Sequence, residues 1–310
     1  RQMCIRDRMN SFQVDGITRE LTRQHEILHP DLKIMVNKQK ATKQSDTTKN
    51  QMNDKKLNLI IGWLCFLISF IVYYLTAEPT VSFWDTGEYI TTSAKLQVGH
   101  PPGAPLYQML GAIFSIFAFE KENIGFTMNL MSGFASALTI SFMYWSIVLV
   151  LKKLTIDAKD TVKKQLIVSS SAFIGSISFA FTDTFWFSAV ETEVYAMATL
   201  IMAIMFYLGL RWEIDMHKAK GDKWLLLICF VIGLSFGVHF MGLLVIPAIV
   251  MIYYFKNQEE ILKSLKLKPI IGFIFANAIG IAILMGIFKL LLPNTLKFFS
   301  ATELLFVNNL

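Results

Sequence analysis

The chain has 310 residues, and its composition excludes an ordinary soluble domain. Hydrophobic residues make up 54 % of it, and the mean hydropathy is +0.49. Several apolar runs exceed the ~18 residues that a membrane-crossing helix requires. We therefore predict a polytopic membrane protein.

The net charge of +6 does not indicate a nucleic-acid partner. The excess lysines lie in the N-terminal tail and in short loops between apolar runs, which is the pattern of membrane topology. Cys4, Cys65 and Cys229 are far apart, and the last two lie within apolar runs. They indicate neither a disulfide framework nor a thiolate metal site.

Two domains are expected from the change in composition. Residues 1–55 are rich in Lys, Gln, Asn, Asp and Thr and predict a mostly disordered tail, with a short helix at most over 17–28. Residues 1–8 resemble a translated sequencing adapter more than a protein terminus. Residues 56–310 form the predicted transmembrane domain, which we expect to be truncated at its C-terminus because it stops without a closing element.

The first predicted span covers residues 57–76, and its flank sets the orientation. Lys49, Lys55 and Lys56 should stay in the cytoplasm by the positive-inside rule. The polar stretch 78–107, EPTVSFWDTGEYITTSAKLQVGHPPGAPLY, therefore faces outward.

The apolar run 105–119 is shorter than a span needs. The next run, 124–151, is followed by the densest basic cluster after the tail, which belongs inside. Only one full span can then separate that cluster from the outer stretch. We predict that 105–119 forms a re-entrant or interfacial helix that returns to the outer face.

The remaining apolar runs complete seven predicted spans. Two of them cover 165–182 and 194–210, joined by a short acidic turn. The run 224–255 is long for one helix and has basic residues at both ends, so it must form a hairpin that turns at 237–239. The last span covers 269–292.

This topology predicts that several acidic residues and two histidines lie together on the outer side of the membrane. The set is Asp85, Glu88, His100, Asp183, Glu191, Glu193 and His239. Few charged residues lie within a span, which argues against an ion pathway through the middle of the membrane.

Asp85 and Glu88 would share one helical face if residues 84–96 form a helix. A carboxylate at the membrane boundary can take a proton from an acceptor hydroxyl as a general base. The alternative is a solvated carboxylate that caps a helix. We predict no metal site, since two carboxylates without further ligands of known position do not define one.

Other residues of the set also have two interpretations. His100 precedes Pro-Pro-Gly, whose fixed backbone would hold the imidazole for phosphate contact or leave it as a solvated cap. Glu191 and Glu193 begin a span, where acidic groups also stabilise a helix N-terminus through its dipole. His239 could touch a lipid phosphate or simply be solvated. Trp84 fits an interfacial aromatic belt, with sugar stacking as the alternative.

Four segments together resemble a known family. An acidic motif after the first span, then His-Pro-Pro and a short non-spanning helix, resembles the first extracytoplasmic loop of GT-C glycosyltransferases such as the protein O-mannosyltransferases. EPTVSFWDTGEY, LQVGHPPGAPLY, ETEVYA and GLSFGVHFMGLLVIPA are most similar to a bacterial membrane family, common in Bacteroidota, with a vertebrate relative that is a transmembrane protein O-mannosyltransferase. The resemblance implies an all-α polytopic membrane protein with a GT-C-like helix bundle and short non-spanning helices in that loop.

The resemblance also implies a reaction. A sugar, taken to be mannose, would move from a polyprenyl-phosphate donor to Ser or Thr hydroxyls of exported proteins at the periplasmic face of a bacterial inner membrane, without cofactor or metal. Asp85 would be the base, with Glu88 beside it. The candidates for contact with donor or acceptor are His100, Trp84, Tyr89, Glu191, Glu193 and His239. The protein O-mannosyltransferases place the acidic pair side by side, whereas two residues intervene here.

Two other functions stay open at this point. A transporter or lipid flippase would also be polytopic, but it predicts buried charges or Gly/Pro-broken spans near the midplane. Gly233 and Gly237 interrupt one run, yet buried charge is sparse. An inert membrane subunit that binds partners is the third possibility.

Overall fold

The computed structural model describes residues 30–101, 103–155, 161–257 and 267–308, and they are helical with no strand among them. The all-α prediction is confirmed. In chain order the helices are α1 (Pro30–Thr76), α2 (Thr86–Ala94), α3 (Pro105–Ser115), α4 (Ile124–Leu154), α5 (Thr161–Ala180), α6 (Asp183–Val190), α7 (Val194–Asp215), α8 (Asp222–Phe236), α9 (Ile246–Asn257), α10 (Leu267–Gly286) and α11 (Leu292–Phe306). Short 3₁₀ turns and one π turn join some of them.

Five helical segments among the described residues are long and apolar enough to cross a membrane. They are Asn53–Thr76, Lys121–Leu154, Val194–Asp215, Phe240–Asn257 and Ile270–Phe306. The pair Val162–Ala180 and Asp183–Val190, bent by 65°, makes a sixth if it is counted as one span. The chain is therefore a multi-pass membrane protein.

With the bent pair counted as one span, the difference from the seven predicted spans lies in α8, which has only 15 residues. The predicted hairpin break is present, since α8 ends at Phe236 and the next turn begins at Phe240. At this break the Gly237 carbonyl accepts hydrogen bonds from the backbone N–H groups of Leu106 (2.8 Å) and Tyr107 (3.1 Å). A Cβ at position 237 would lie 2.7 Å from the Leu106 Cβ, so this close approach requires glycine.

Both ends of the chain differ from the sequence expectation. Helix α1 begins at Pro30 and so includes part of the stretch expected to be mostly disordered, while 17–28 lies outside the described residues. The last span was predicted to end at 292, but the helix continues to Phe306. A π turn over Ile287–Leu291 ends two residues before Pro293, which lacks a backbone N–H and lies in the first turn of α11.

Helix α4 takes part in both apolar cores of the part of the chain that begins at Asn58. One core joins α4 to α2, α3, α7, α8 and α9, and the other joins it to α1, α5 and α6. Small buried residues near its middle, Gly133, Ala135, Ser136 and Ala137, let neighbouring helices approach closely. The central position of α4 allows it to connect the segments that carry the site.

Contacts between distant segments define the two ends of the bundle. At one end the Glu78 N–H donates to the Val190 carbonyl (3.0 Å), so the polar loop before α2 meets the junction of α6 and α7. At the other end Lys153 pairs with Glu213, and the Trp224 indole N–H donates to Asp215 (2.8 Å). Lys153 lies in the last turn of α4, whereas Glu78 is bonded to Asn129 near the start of the same helix, so the two groups of contacts mark its two ends. Which membrane face each end occupies stays a prediction.

Cysteine labelling tests this orientation. In a background without Cys4, Cys65 and Cys229, Asn123→Cys should react with a membrane-impermeant maleimide from outside, because the acidic end faces outward. Lys218→Cys, which is also exposed, should react only after permeabilisation. The reverse result would invert the topology. Labelling of both from outside would contradict the count of spans.

Candidate active site

Asp85 stands at the start of α2, with its carboxylate free of the helix. It occupies the N-cap position but accepts no cap hydrogen bond, and its side chain is 56 % exposed. Glu88 lies in the first turn of the same helix, so the two acids share one face as the sequence predicted. The cap alternative for Asp85 is not supported by these contacts, and its carboxylate is accessible to a substrate.

Glu88 and His100 are joined by two hydrogen bonds. The His100 backbone N–H donates to Glu88 Oε1 (2.6 Å), and the His100 Nδ1 lies 3.0 Å from Glu88 Oε2. These bonds, the backbone one first, lower the pKa of the Glu88 carboxyl, while the bond to Glu88 raises the pKa of His100. The His100 Nε2 lies 3.9 Å from Asp85 Oδ2. One imidazole therefore stands between two carboxylates.

The loop that presents His100 is supported by Gln108 of α3. With the amide oriented to satisfy its neighbours, Gln108 accepts from the Gly99 N–H (3.1 Å) and donates to the Gln97 carbonyl (3.1 Å). A Cβ at Gly99 would lie 2.8 Å from the end of the Gln108 amide that faces it and 3.2 Å from Glu88 Oε1. A glycine at this position therefore lets the loop approach both side chains.

Glu191 and Glu193 come to the same place from the junction of α6 and α7. The Ser82 hydroxyl donates to Glu191 Oε2 (2.7 Å), which ties this buried acid to the loop that leads to Asp85. Glu193 occupies the N-cap position of α7, is 7 % exposed and makes no cap hydrogen bond. Burial first, and then the charges of Asp85 and Glu191, raise the pKa of Glu193 to about 7.

Asn129 of α4 connects these segments, and the sequence analysis missed it. Its side chain is fully buried, and its amide nitrogen donates to the carbonyls of Glu78 (2.7 Å) and Thr80 (2.9 Å). Its amide oxygen accepts from the Thr192 hydroxyl (2.5 Å). The available signal was a lone amide in an apolar run, which must find polar partners inside the protein.

The two aromatic candidates occupy different environments. The Tyr89 ring packs 5.3 Å from the Tyr107 ring and 6.2 Å from His100 (centroid distances), so it borders the site. Burial, followed by the charge of Glu193, raises the pKa of Tyr89 to about 12. Trp84 is 88 % exposed and has a left-handed backbone (φ 60°). Its role in a belt or in sugar stacking stays a prediction.

His239 does not join the Asp85 group through any contact among the described residues. Its ring lies 5.3 Å from that of Tyr195, and its Nδ1 accepts from the Met241 N–H (3.1 Å), so it caps the turn after the hairpin break. Burial lowers the pKa of His239. These contacts show that His239 stabilises the turn. Its contact with a lipid phosphate stays a prediction.

Asp85, Glu88 and His100 each offer an atom of a kind that binds metals, and these atoms lie within 4.8 Å of one another. Glu88 and His100 already use theirs to bind each other. No further group among the described residues points to an ion at this position, so we propose no metal there.

The fold and the site define a multi-pass, all-helical membrane protein with a carboxylate–imidazole cluster at one end of its bundle. Residues 85–262, more than half of the chain, match the family model described as the Protein O-mannosyl-transferase TMEM260 N-terminal domain. The chain therefore belongs to this family. The resemblance stated from the sequence is confirmed.

Two curated relatives are similar to the chain. Protein O-mannosyl-transferase tmem260 of Dictyostelium discoideum is 23 % identical over 255 residues, which cover 76 % of this chain and 29 % of that protein. Protein O-mannosyl-transferase TMEM260 of Mus musculus is 24 % identical over 204 residues, covering 65 % of this chain and 27 % of that protein. The chain thus spans less than a third of the length of these relatives. No solved structure matches it.

Proposed function

We propose that the chain is the membrane-embedded part of a glycosyltransferase that moves mannose from a polyprenyl-phosphate donor to Ser or Thr hydroxyls of exported proteins. The observation that carries this proposal is the accessible Asp85 carboxylate beside the Glu88–His100 pair, 3.9 Å from the imidazole. The names of the relatives supply the class of reaction and the sugar. The proposal extends that chemistry to this chain.

Asp85 is the general base of the proposed reaction. The acceptor oxygen forms a bond to the anomeric carbon, and the bond from that carbon to the phosphate oxygen breaks. The electron pair leaves with the phosphate, and the hydroxyl proton goes to Asp85. A carboxylate that makes no cap bond and is more than half exposed can receive this proton.

The Glu88–His100 pair positions the donor phosphate in this proposal. Glu88 binds the Nδ1 side of the ring, which leaves Nε2 directed toward Asp85. A protonated imidazole forms strong hydrogen bonds with phosphate oxygens. Because Glu88 raises the pKa of His100, this charge persists to a higher pH than in a free histidine. It is lost as the pH rises through that raised pKa.

The lipid part of the donor requires a site at the bilayer boundary. The Asp85 loop directly follows the first span, which ends at Thr76, and so satisfies this requirement. The lysine count of the loops supports an outer position for this end. We infer a periplasmic site in a bacterial inner membrane.

A transfer assay tests the proposed function. Membranes that contain this protein should transfer radiolabelled mannose from polyprenyl-phosphate mannose to a Ser/Thr-containing acceptor peptide. A nucleotide-linked mannose should not serve as donor in membranes without carrier lipid. Absence of transfer from every carrier-linked sugar, with the protein correctly inserted, would contradict the proposal.

The transporter or flippase alternative is not favoured by the position of the buried acids. Glu191 and Glu193 lie at the junction of α6 and α7, whereas a transport site is expected near the middle of the spans.

A further inference from the structure

The turn between α7 and α8 carries more positive than negative charge. Its cations are Arg211, Lys218, Lys220 and Lys223, and its acids are Glu213, Asp215 and Asp222. Lys153 of α4 pairs with Glu213, so that acid is already neutralised from outside the turn. The cations of the turn therefore outnumber the acids that remain to offset them.

Two of these cations lie over one indole ring. The guanidinium carbon of Arg211 is 5.1 Å from the centroid of the Trp224 ring, and the Lys223 Nζ is 4.9 Å from it. The π-face of the ring attracts each cation, but two cations beside one ring repel each other. An anion bound to both would remove this repulsion.

The acid closest in sequence to Arg211 after Glu213 is engaged by other groups. Asp215 Oδ1 accepts from the Lys218 Nζ (2.8 Å), and Asp215 Oδ2 accepts from the Trp224 indole N–H (2.8 Å). Neither Arg211 nor Lys223 forms an ion pair with a carboxylate in the part of the chain that the structure describes. The Arg211 Nε is buried and has no hydrogen-bond partner there. Arg211 therefore has hydrogen-bonding capacity that the described protein groups do not use.

The turn holds the indole in place. The bond to Asp215 fixes the Trp224 ring from one side, and the Trp224 backbone N–H donates to the Gly221 carbonyl (3.2 Å). A Cβ at position 221 would collide with the Asp215 carbonyl oxygen, so this close approach requires glycine. The two cations are thus arranged around a ring whose position is set by the fold.

The cluster lies at the edge of the apolar surface. The span that contains α7 ends at Asp215, and α8 begins at Asp222. Leu226 and Phe230, one turn apart on α8, are 71 % and 62 % exposed. Indole rings such as that of Trp224 typically lie at the level of the lipid headgroups. The anion available at this level in a membrane is a headgroup phosphate.

We propose that Arg211 and Lys223 bind the phosphate of an anionic phospholipid beside the Trp224 ring, with an acyl chain along Leu226 and Phe230. The planar guanidinium donates to two phosphate oxygens, and the ammonium of Lys223 adds a compact charge. The lipid site is independent of the transfer reaction, since it lies at the opposite end of α7 from Glu193.

Native mass spectrometry of the protein purified in detergent tests the site. The wild type should retain phosphatidylglycerol, which is anionic, more tightly than phosphatidylcholine, which is zwitterionic. Lys223→Gln and Arg211→Gln should each lower the apparent affinity for phosphatidylglycerol about fivefold, the usual effect of one basic residue near anionic lipid. Because Lys223 is exposed, its replacement should leave the fold intact even if the loss of Arg211 destabilises the protein.

Lys220→Gln is the matched control. It removes the same charge from an exposed position of the same turn, but Lys220 has no contact with the Trp224 ring. The apparent affinity for phosphatidylglycerol should change by less than about twofold, because solvent and salt screen this charge. Equal losses in Lys220→Gln and Lys223→Gln would mean a diffuse attraction to the basic turn and would overturn the site. Equal retention of the two lipids by the wild type would overturn it as well.

Thermal denaturation distinguishes a lipid headgroup from a free phosphate. Short-chain phosphatidylglycerol should raise the Tm of the wild type, and inorganic phosphate at the same concentration should not. The rise should be smaller in Lys223→Gln than in Lys220→Gln. Stabilisation by inorganic phosphate that disappears in Lys223→Gln would show that the site takes a soluble anion, which contradicts the lipid assignment.

Discussion

Asp85→Asn is expected to lower the rate of mannose transfer by about 10²- to 10⁴-fold, the usual contribution of a general base. Asparagine has nearly the same shape but cannot accept the hydroxyl proton. Folding should be unaffected, because the Asp85 carboxylate makes no cap bond and is 56 % exposed. The measurement is single-turnover transfer in membranes with equal amounts of each variant.

Asp183→Asn is the matched control for this experiment. Asp183 is exposed and lies in the first turn of α6, so its replacement changes the same charge without touching the cluster. It should transfer mannose at the wild-type rate. Full activity of Asp85→Asn in the same membranes would remove Asp85 from the mechanism.

Asn129→Ala should lower both the thermal stability and the transfer rate. The substitution leaves the carbonyls of Glu78 and Thr80 and the hydroxyl of Thr192 without their partner in a buried place. Each unsatisfied group costs about 1–3 kcal/mol, and the three costs need not add. Because these bonds hold the loop that leads to Asp85, we expect a displaced base as well as a less stable bundle.

Thr139→Ala on the same helix separates this effect from a general loss of packing. Thr139 is also buried, but its hydroxyl donates only within α4, to the Ala135 carbonyl (3.0 Å). Thermal denaturation of the purified protein in detergent should show a small loss for Thr139→Ala and a large one for Asn129→Ala. Equal losses for the two variants would contradict the anchoring role of Asn129.

The hydropathy and charge of the sequence were sufficient to predict several features of the fold. The break at 237–239 follows from a run too long for one helix with basic residues at both ends, and the structure has it there. The short helix that begins at Pro105 follows from its length and remains too short to span. The juxtaposition of Asp85, Glu88 and His100 follows from sidedness, and the structure places them in contact range. In the first two cases a local pattern carries the information, and in the third the distribution of lysines over the loops does.

Other features depend on contacts that no local pattern contains. The hydrogen bond from Ser82 to Glu191 joins residues 109 positions apart, and Asn129 reaches back 51 positions to Glu78. The last helical segment continues past the predicted end through a π turn and Pro293, which hydropathy cannot indicate. Glu193 likewise looked like an ordinary acid at a helix start. Only the packing around it shows that it is buried and makes no cap hydrogen bond.

The hydrogen bonds to the Gly237 carbonyl connect the α8–α9 hairpin to α3. Since this carbonyl accepts from two consecutive amides, those of Leu106 and Tyr107, the α8–α9 hairpin cannot tilt away from the first turn of α3 without breaking both bonds. The Gln108 amide that steadies the His100 loop belongs to that same turn of α3. A change in bilayer thickness that tilts the hairpin would therefore displace the imidazole, and turnover in vesicles should vary with acyl-chain length.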